Sequence, residues 1–198
     1  MLPRADTAAE FFSPDYASAR ARFRAAALRA GATLDALPLA ARGPRDETLT
    51  IDLAWLGNPQ PRNVVLHVTG VHGVEAFAGS AAQLALLAAP PRPPADGALV
   101  LLHVFNPHGM AWLRRANEHN VDLNRNFHLD SGIWTGAPPL YKRLDPLLNP
   151  ASPPARDAFA LRLAAAGLRH GVHAVRQAIA HGQHRYPRGL FYGGAELQ

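Results

Sequence analysis

The spacing of hydrophobic positions changes period along this chain. The stretch "ETLTIDLAWLG" (47–57) alternates apolar and polar residues, the period of a strand with one face covered. "NVVLHVTG" (63–70) and "ALVLLHVFN" (98–106) are unbroken apolar runs, which predicts strands covered on both faces. Between them, "EAFAGSAAQLALLAAP" (75–90) is helical by composition and gives way to the Pro-rich turn "PPRPPADG" (90–97). Such a strand, helix, strand unit favours parallel neighbours in a helix-covered sheet, where ligands collect at the carboxyl ends of the strands. Upstream, Ser13 or Asp15 is placed to cap a helix through "ASARARFRAAALRAGA" (17–32) that stops at Gly31. Downstream, the Pro- and Gly-rich segment 130–154 predicts a long loop with one helical turn near Tyr141 to Leu148. Ser152 and Pro153 then open a last long helix, whose apolar positions are Leu168, Val172, Val175 and Ile179.

Composition narrows the classes. With 198 residues, 48% of them hydrophobic, the chain is long enough for one domain with a full core. It contains no cysteine, so any metal must be held by His and carboxylates, and thiol nucleophiles and disulfide scaffolds are excluded. The net charge of +5 comes from arginines spread from Arg4 to Arg188 rather than clustered, which argues against a nucleic-acid partner. No uninterrupted run of about 18 apolar residues is present, and "MLPRADTAAEFF" lacks a signal-peptide pattern, so a cytoplasmic protein with no membrane partner is expected.

Both apolar strands run into polar, loop-forming sequence. After the first comes His72-Gly-Val-Glu75, the sole His-x-x-Glu of the chain. An imidazole and a carboxylate aimed from one tight turn form a ligand set suited to zinc, although a solvent-facing loop would also account for them. After the second comes "NPHGMAWLRRANEHNVDLNRNF" (106–127), dense in Asn, Arg, Asp122 and Glu118 and without apolar periodicity. Guanidiniums beside a candidate metal are what an anionic substrate or a developing oxyanion requires. His67 and His103, inside the apolar strands, are expected to be hydrogen-bonded core residues rather than ligands. His170, His173 and His181 are expected on a solvent-facing side of the last helix, and Trp55, Trp112 and Trp134 are expected to pack.

In order, "HGVE", "NPHG", an arginine and "VDLNRNF" resemble the zinc carboxypeptidase (M14-like) superfamily. "GVHGVEAFAGSAAQ", "WLRRANEHNVDLNRNF" and "RGLFYGG" look most like its DUF2817 branch. The resemblance runs from about Phe11 to Gly194. It implies a three-layer α/β/α fold with a mostly parallel mixed sheet, of which residues 1–198 would be a single, incomplete domain corresponding to the N-terminal part. It further implies a zinc cofactor with His72 and Glu75 as two of three protein ligands and Asp122 accepting the other N–H of His72. Arg115, or Arg114, would stabilise the oxyanion, and Asn124 and Arg125 would hold a substrate carboxylate. The third histidine ligand and the catalytic glutamate of the family pattern have no match in this sequence. The implied activity is hydrolysis of a C-terminal peptide or amide bond in a small peptide. The alternatives are deacylation of an N-acyl amino acid, as in aspartoacylase-like relatives, and a non-catalytic remnant of the fold. A sheet shortened in this way exposes an edge, so self-association through that edge is expected.

Overall fold

The computed structural model describes residues 8–127, 134–152, 154 and 156–198. The chain folds as two compact units, Met1–Glu118 and His119–Gln198.

The first unit is built on a mixed four-stranded sheet with flanking helices, an α/β arrangement. Its strands are β1 (Thr33–Arg42), β2 (Thr48–Gly57), β3 (Asn63–Val68) and β4 (Gly97–His103), in the order β1-β2-β4-β3. The parallel character is confined to β3 and β4, joined by helix α2 (Ala76–Ala88), whereas β1–β2 and β2–β4 pair antiparallel. Helix α1 (Tyr16–Arg29) is capped by Asp15, whose side chain accepts from the Ser18 amide at 2.7 Å, and it gives way at Gly31 with φ 80°. That conformation is cheap for glycine and costly for a residue with a Cβ.

The β2 pattern is realised residue by residue. Thr50, Asp52, Ala54 and Leu56 are buried, while Ile51, Leu53 and Trp55 on the opposite face are half-buried. The buried face, together with Leu99 and Leu101 of β4, packs against Phe23, Ala26 and Ala27 of α1 and Leu84 and Leu87 of α2. Each large aliphatic or aromatic side chain withdrawn from water there contributes about 1.5–3 kcal/mol.

Strand β3 departs from the expectation of a strand covered on both faces. It is an outer strand, and Val64, Val65 and Leu66 are more than half exposed. An apolar run specifies a strand but not what lies beside it, and here nothing among the described residues pairs with its outer edge.

Asp52 is fully buried where β2 crosses under α1. Its carboxylate receives Arg20 Nε at 2.7 Å, Arg24 Nη1 at 2.5 Å and the Thr50 hydroxyl at 3.1 Å. Beside it in register lies His103, also fully buried, with its ring stacked on Phe23 at 4.4 Å and its Nε2 2.9 Å from the Ser80 hydroxyl. His103 is thus a hydrogen-bonded core residue, as expected. His67 is half-buried, its Nδ1 3.3 Å from the Gln83 amide nitrogen.

The second unit holds helices α4 (Tyr141–Leu148), α5 (Phe159–His170) and α6 (Val172–Ala180), the first unit having contributed the short α3 (Pro107–Ala111). Leu144, Val175 and Ala178 form the unit's small apolar core. The expected single last helix is two: the chain breaks at Gly171, φ 84°, and Leu168 and Val172 of the expected apolar stripe are exposed. Its start also lies later than Ser152, at Phe159, and Pro153 is outside the described residues. Gln183 is buried and holds the following loop: its Oε1 accepts the amides of Arg185 and Tyr186, and its Nε2 donates to the Tyr186 carbonyl. No helix among the described residues is long and apolar enough to cross a membrane.

Candidate metal centre

Strand β3 ends at Val68, and a turn that includes Gly70, φ 73°, leads to His72 and Glu75 just before α2 begins. The two side chains converge: His72 Nδ1 lies 3.1 Å from Glu75 Oε2. At this distance the two side chains are hydrogen-bonded to each other; two donors each about 2.1 Å from one tetrahedral ion stand about 3.4 Å apart, so a shared zinc ion would have to replace this hydrogen bond and turn both donors toward itself. The His72 ring is largely buried, its side chain 11% exposed, whereas the Glu75 carboxylate is open at 68%. Arg115 reaches the other carboxylate oxygen, Nη1 to Oε1, at 3.3 Å. The first unit therefore gathers the two candidate ligands and the candidate oxyanion arginine around one carboxylate.

Backbone geometry places that arginine. The carbonyl of Arg115 accepts both the Gly73 amide at 3.3 Å and the Asn106 side-chain amide at 3.2 Å. Asn106 also caps α3 by accepting from the Gly109 amide at 2.7 Å. The two turns touch so closely that a Cβ at Gly73 would lie 2.0 Å from the Gly109 carbonyl carbon. The intervening residues Leu113, Arg114 and Arg115 are exposed, and Leu113 takes a left-handed φ of 52°, rare for a branched side chain. Arg114 lies in the same loop, its amide donating to the Gly109 carbonyl at 2.7 Å. Trp112 anchors the loop by donating from Nε1 to the Arg42 carbonyl at 2.9 Å.

The remaining candidates lie in the second unit. Asp122 is buried and caps a 3-10 turn, Leu123–Arg125, by accepting the Asn124 amide at 3.0 Å. Arg125 is anchored at the carboxyl end of α6: Nε and Nη2 donate to the Ala180 carbonyl at 3.2 and 2.9 Å, and Nη1 donates to the Asn124 carbonyl at 3.0 Å. Its guanidinium lies 6.0 Å from the centre of the Phe191 ring. Asn124 and Arg125 line a hollow of about 530 Å³ with Phe127, Thr135, Gly136 and His184. His184 donates from Nδ1 to the Gly194 carbonyl at 2.7 Å, and Trp134 meets its ring edge-on. His128 lies outside the described residues.

No group of three or more His, Asp or Glu side chains converges as a metal cage among the described residues. Sequence reasoning misses Asn106 as the side chain that fixes the arginine loop. Its signal is present in "NPHG", where Asn followed by Pro at the first helical position marks a capped helix start.

The family model described as "Protein of unknown function (DUF2817)" matches residues 12–198, nearly the whole chain. The chain belongs to the DUF2817 family. No curated protein matches it. Among solved structures, a carboxypeptidase A from Helicoverpa armigera is similar over 62% of this DUF2817 chain and 35% of its own, at 17% identity and a TM-score of 0.43. An aspartoacylase family protein from Mesorhizobium loti is similar over 48% of this chain and 30% of its own, at 21% identity and a TM-score of 0.36. The chain spans about a third of the length of these two structures.

Proposed function

We propose that this DUF2817 protein is a zinc-dependent hydrolase of the metallocarboxypeptidase type, acting on a C-terminal peptide or amide bond. The observation that carries the reading is the convergence of His72 Nδ1 and Glu75 Oε2 to 3.1 Å at the carboxyl end of β3, with Arg115 on the same carboxylate. His72 and Glu75 would hold the metal. When bound there, zinc lowers the pKa of a water and polarises the scissile carbonyl.

The chain's own residues supply the rest of the reading. Arg115, a permanent cation on an exposed loop tied down through its carbonyl, offers N–H donors to the oxyanion that develops as the carbonyl is attacked. In the second unit, Arg125 is held in one pose by two backbone carbonyls, an arrangement that pre-organises its remaining N–H donors for a carboxylate, with the Asn124 side chain beside it. The buried Asp122 caps the turn that presents Asn124 and Arg125, accepting the Asn124 amide. The sequence offers no match for the third ligand or the general base of the superfamily pattern. Zinc affinity is therefore expected to fall below that of a three-ligand site, and turnover by this chain alone to be lower by about 10² to 10⁴ than with a base in place.

The test is metal analysis of the purified chain followed by assay. The expected result is zinc bound at one per chain, lost on His72→Ala, with slow release of the terminal residue from hippuryl-type peptides. Activity confined to N-acyl amino acids would move the substrate to the deacylase class. A chain that takes up no zinc at any concentration and hydrolyses neither substrate would leave a non-catalytic remnant of the fold.

A further inference from the structure

The Glu75 carboxylate has more than one claimant. Its Oε2 lies 3.1 Å from His72 Nδ1 and its Oε1 lies 3.3 Å from Arg115 Nη1, so both oxygens carry a partner. One negative charge thus serves an imidazole and a guanidinium, and a divalent ion held between His72 and Glu75 would draw on the same charge. Ion and guanidinium would then share a single carboxylate, well inside the screening length of roughly 8 Å at physiological salt, and would repel each other.

Two features make the Arg115 contact exchangeable. At 3.3 Å it is longer than the about 2.7–2.9 Å of a tight charge-assisted bond, so it holds the arginine loosely. The loop also does not depend on it, because the Arg115 carbonyl, not the guanidinium, accepts the Gly73 amide and the Asn106 side-chain amide. The side chain can therefore change partners while the backbone that positions it stays in place. A guanidinium presents its donors in a fixed fork, and that fork suits a carboxylate of the substrate as well as it suits the carboxylate of Glu75.

We infer that Glu75 holds Arg115 in reserve and that a metal ion on Glu75 releases it to a carboxylate or oxyanion of the substrate, so that metal and anion bind with positive cooperativity. This inference rests on the hydrolase reading and adds an order of events to it: metal first, then the anion that engages Arg115. Linkage makes the coupling reciprocal, so the factor by which zinc tightens the anion is the factor by which the anion tightens zinc.

The test is a linkage cycle on the purified chain, read by calorimetry and independent of turnover. The anion is N-benzoylglycine, the acid left at the scissile carbon when a hippuryl peptide is cleaved. Zinc is expected to tighten N-benzoylglycine by about threefold or more, and N-benzoylglycine to tighten zinc equally. Arg115→Ala is expected to bind zinc about threefold or more tightly than wild type, since a competing cation is gone, and to lose most of the coupling. Arg115→Lys, which keeps the charge, is expected to return zinc affinity to the wild-type value. Glu75→Gln is read without zinc: freeing the guanidinium should tighten N-benzoylglycine by about threefold or more, a gain that adding Arg115→Ala abolishes. Circular dichroism confirms that each variant is folded. Zinc affinity in Arg115→Ala equal to or below wild type, or anion affinity unmoved by Glu75→Gln, overturns the inference and leaves the hydrolase reading in place. A wild-type chain that takes up no zinc overturns both.

Discussion

Lowering the pH should destabilise the first unit through His103. Burial pushes this imidazole down from the usual value of 6.5 to about 4; the neighbouring Asp52 charge opposes that shift, and Arg20 assists it. In the unfolded chain the same imidazole takes up its proton near 6.5, so between pH 6.5 and 4 the unfolded state binds more protons than the folded one. Stability from this residue is therefore complete above about pH 7, declines as pH falls through that window, and loses nothing further below about 4. The full linkage is worth about 3 kcal/mol, of which about 1 kcal/mol is gone by about pH 5.5. Against a total of about 5–15 kcal/mol for a typical domain, that is enough to shift an unfolding midpoint visibly. The structural reason is that His103 has Phe23 stacked on one face and the Ser80 hydroxyl on Nε2, while Nδ1 meets no acceptor among the described residues that could take a second proton. Urea unfolding of wild type and His103→Gln at a series of pH values isolates the contribution, because carboxylate titrations cancel in the difference. A difference that stays constant from about pH 7 to about pH 4.5, or a His103 resonance titrating near 6.5 in the folded protein, would refute the argument.

Other substitutions probe the scaffold around it. Replacing Arg20 and Arg24 together by alanine leaves the buried Asp52 carboxylate without its cations and should destabilise by about 3–5 kcal/mol, measured by chemical unfolding; either single replacement should cost distinctly less. Asn106→Ala removes the α3 cap and a donor to the Arg115 carbonyl and should cost about 1–2 kcal/mol in the same assay; an unchanged midpoint would count against its positioning role. Gly73→Ala should separate the His72 turn from the arginine loop, lowering zinc uptake by at least tenfold while far-ultraviolet circular dichroism is retained; uptake equal to wild type would show that the contact is dispensable.

Legibility in the sequence follows the range of the interactions. Helix α1, the β3–α2–β4 unit and the alternating face of β2 are readable because each is encoded by local period and by caps such as Asp15 and Gly31. Strand β1 carries no such signature: Pro38 interrupts its apolar positions, a feature that fits an outer strand but hides it from a pattern search. The division of the last helix turns on Gly171, where Arg169, His170 and a glycine form an ordinary helix-end signal that the continuing apolar spacing masks. That His72 and Glu75 lie side by side is legible because only three positions separate them, whereas the approach of Arg115 to the same carboxylate, 40 positions away, is not encoded locally. The Asp52 cluster is invisible in the sequence, since it depends on α1 crossing β2 with partners 28 and 32 positions apart.

The contact of Gly73 with Gly109 bears on how the centre could be re-engineered. Because the His72 turn and the arginine loop meet backbone to backbone, the separation of the two loops is set by loop length rather than by side-chain choice. Positions 75 and 115, both exposed, should accept a wide range of substituted side chains without refolding the region, whereas the largely buried position 72 should not. A single-residue insertion or deletion between Asn106 and Arg115, by contrast, would shift the register of both loops at once. Length variation within the family should accordingly be concentrated outside this interval, a pattern that comparing the lengths of relatives can check without any assay.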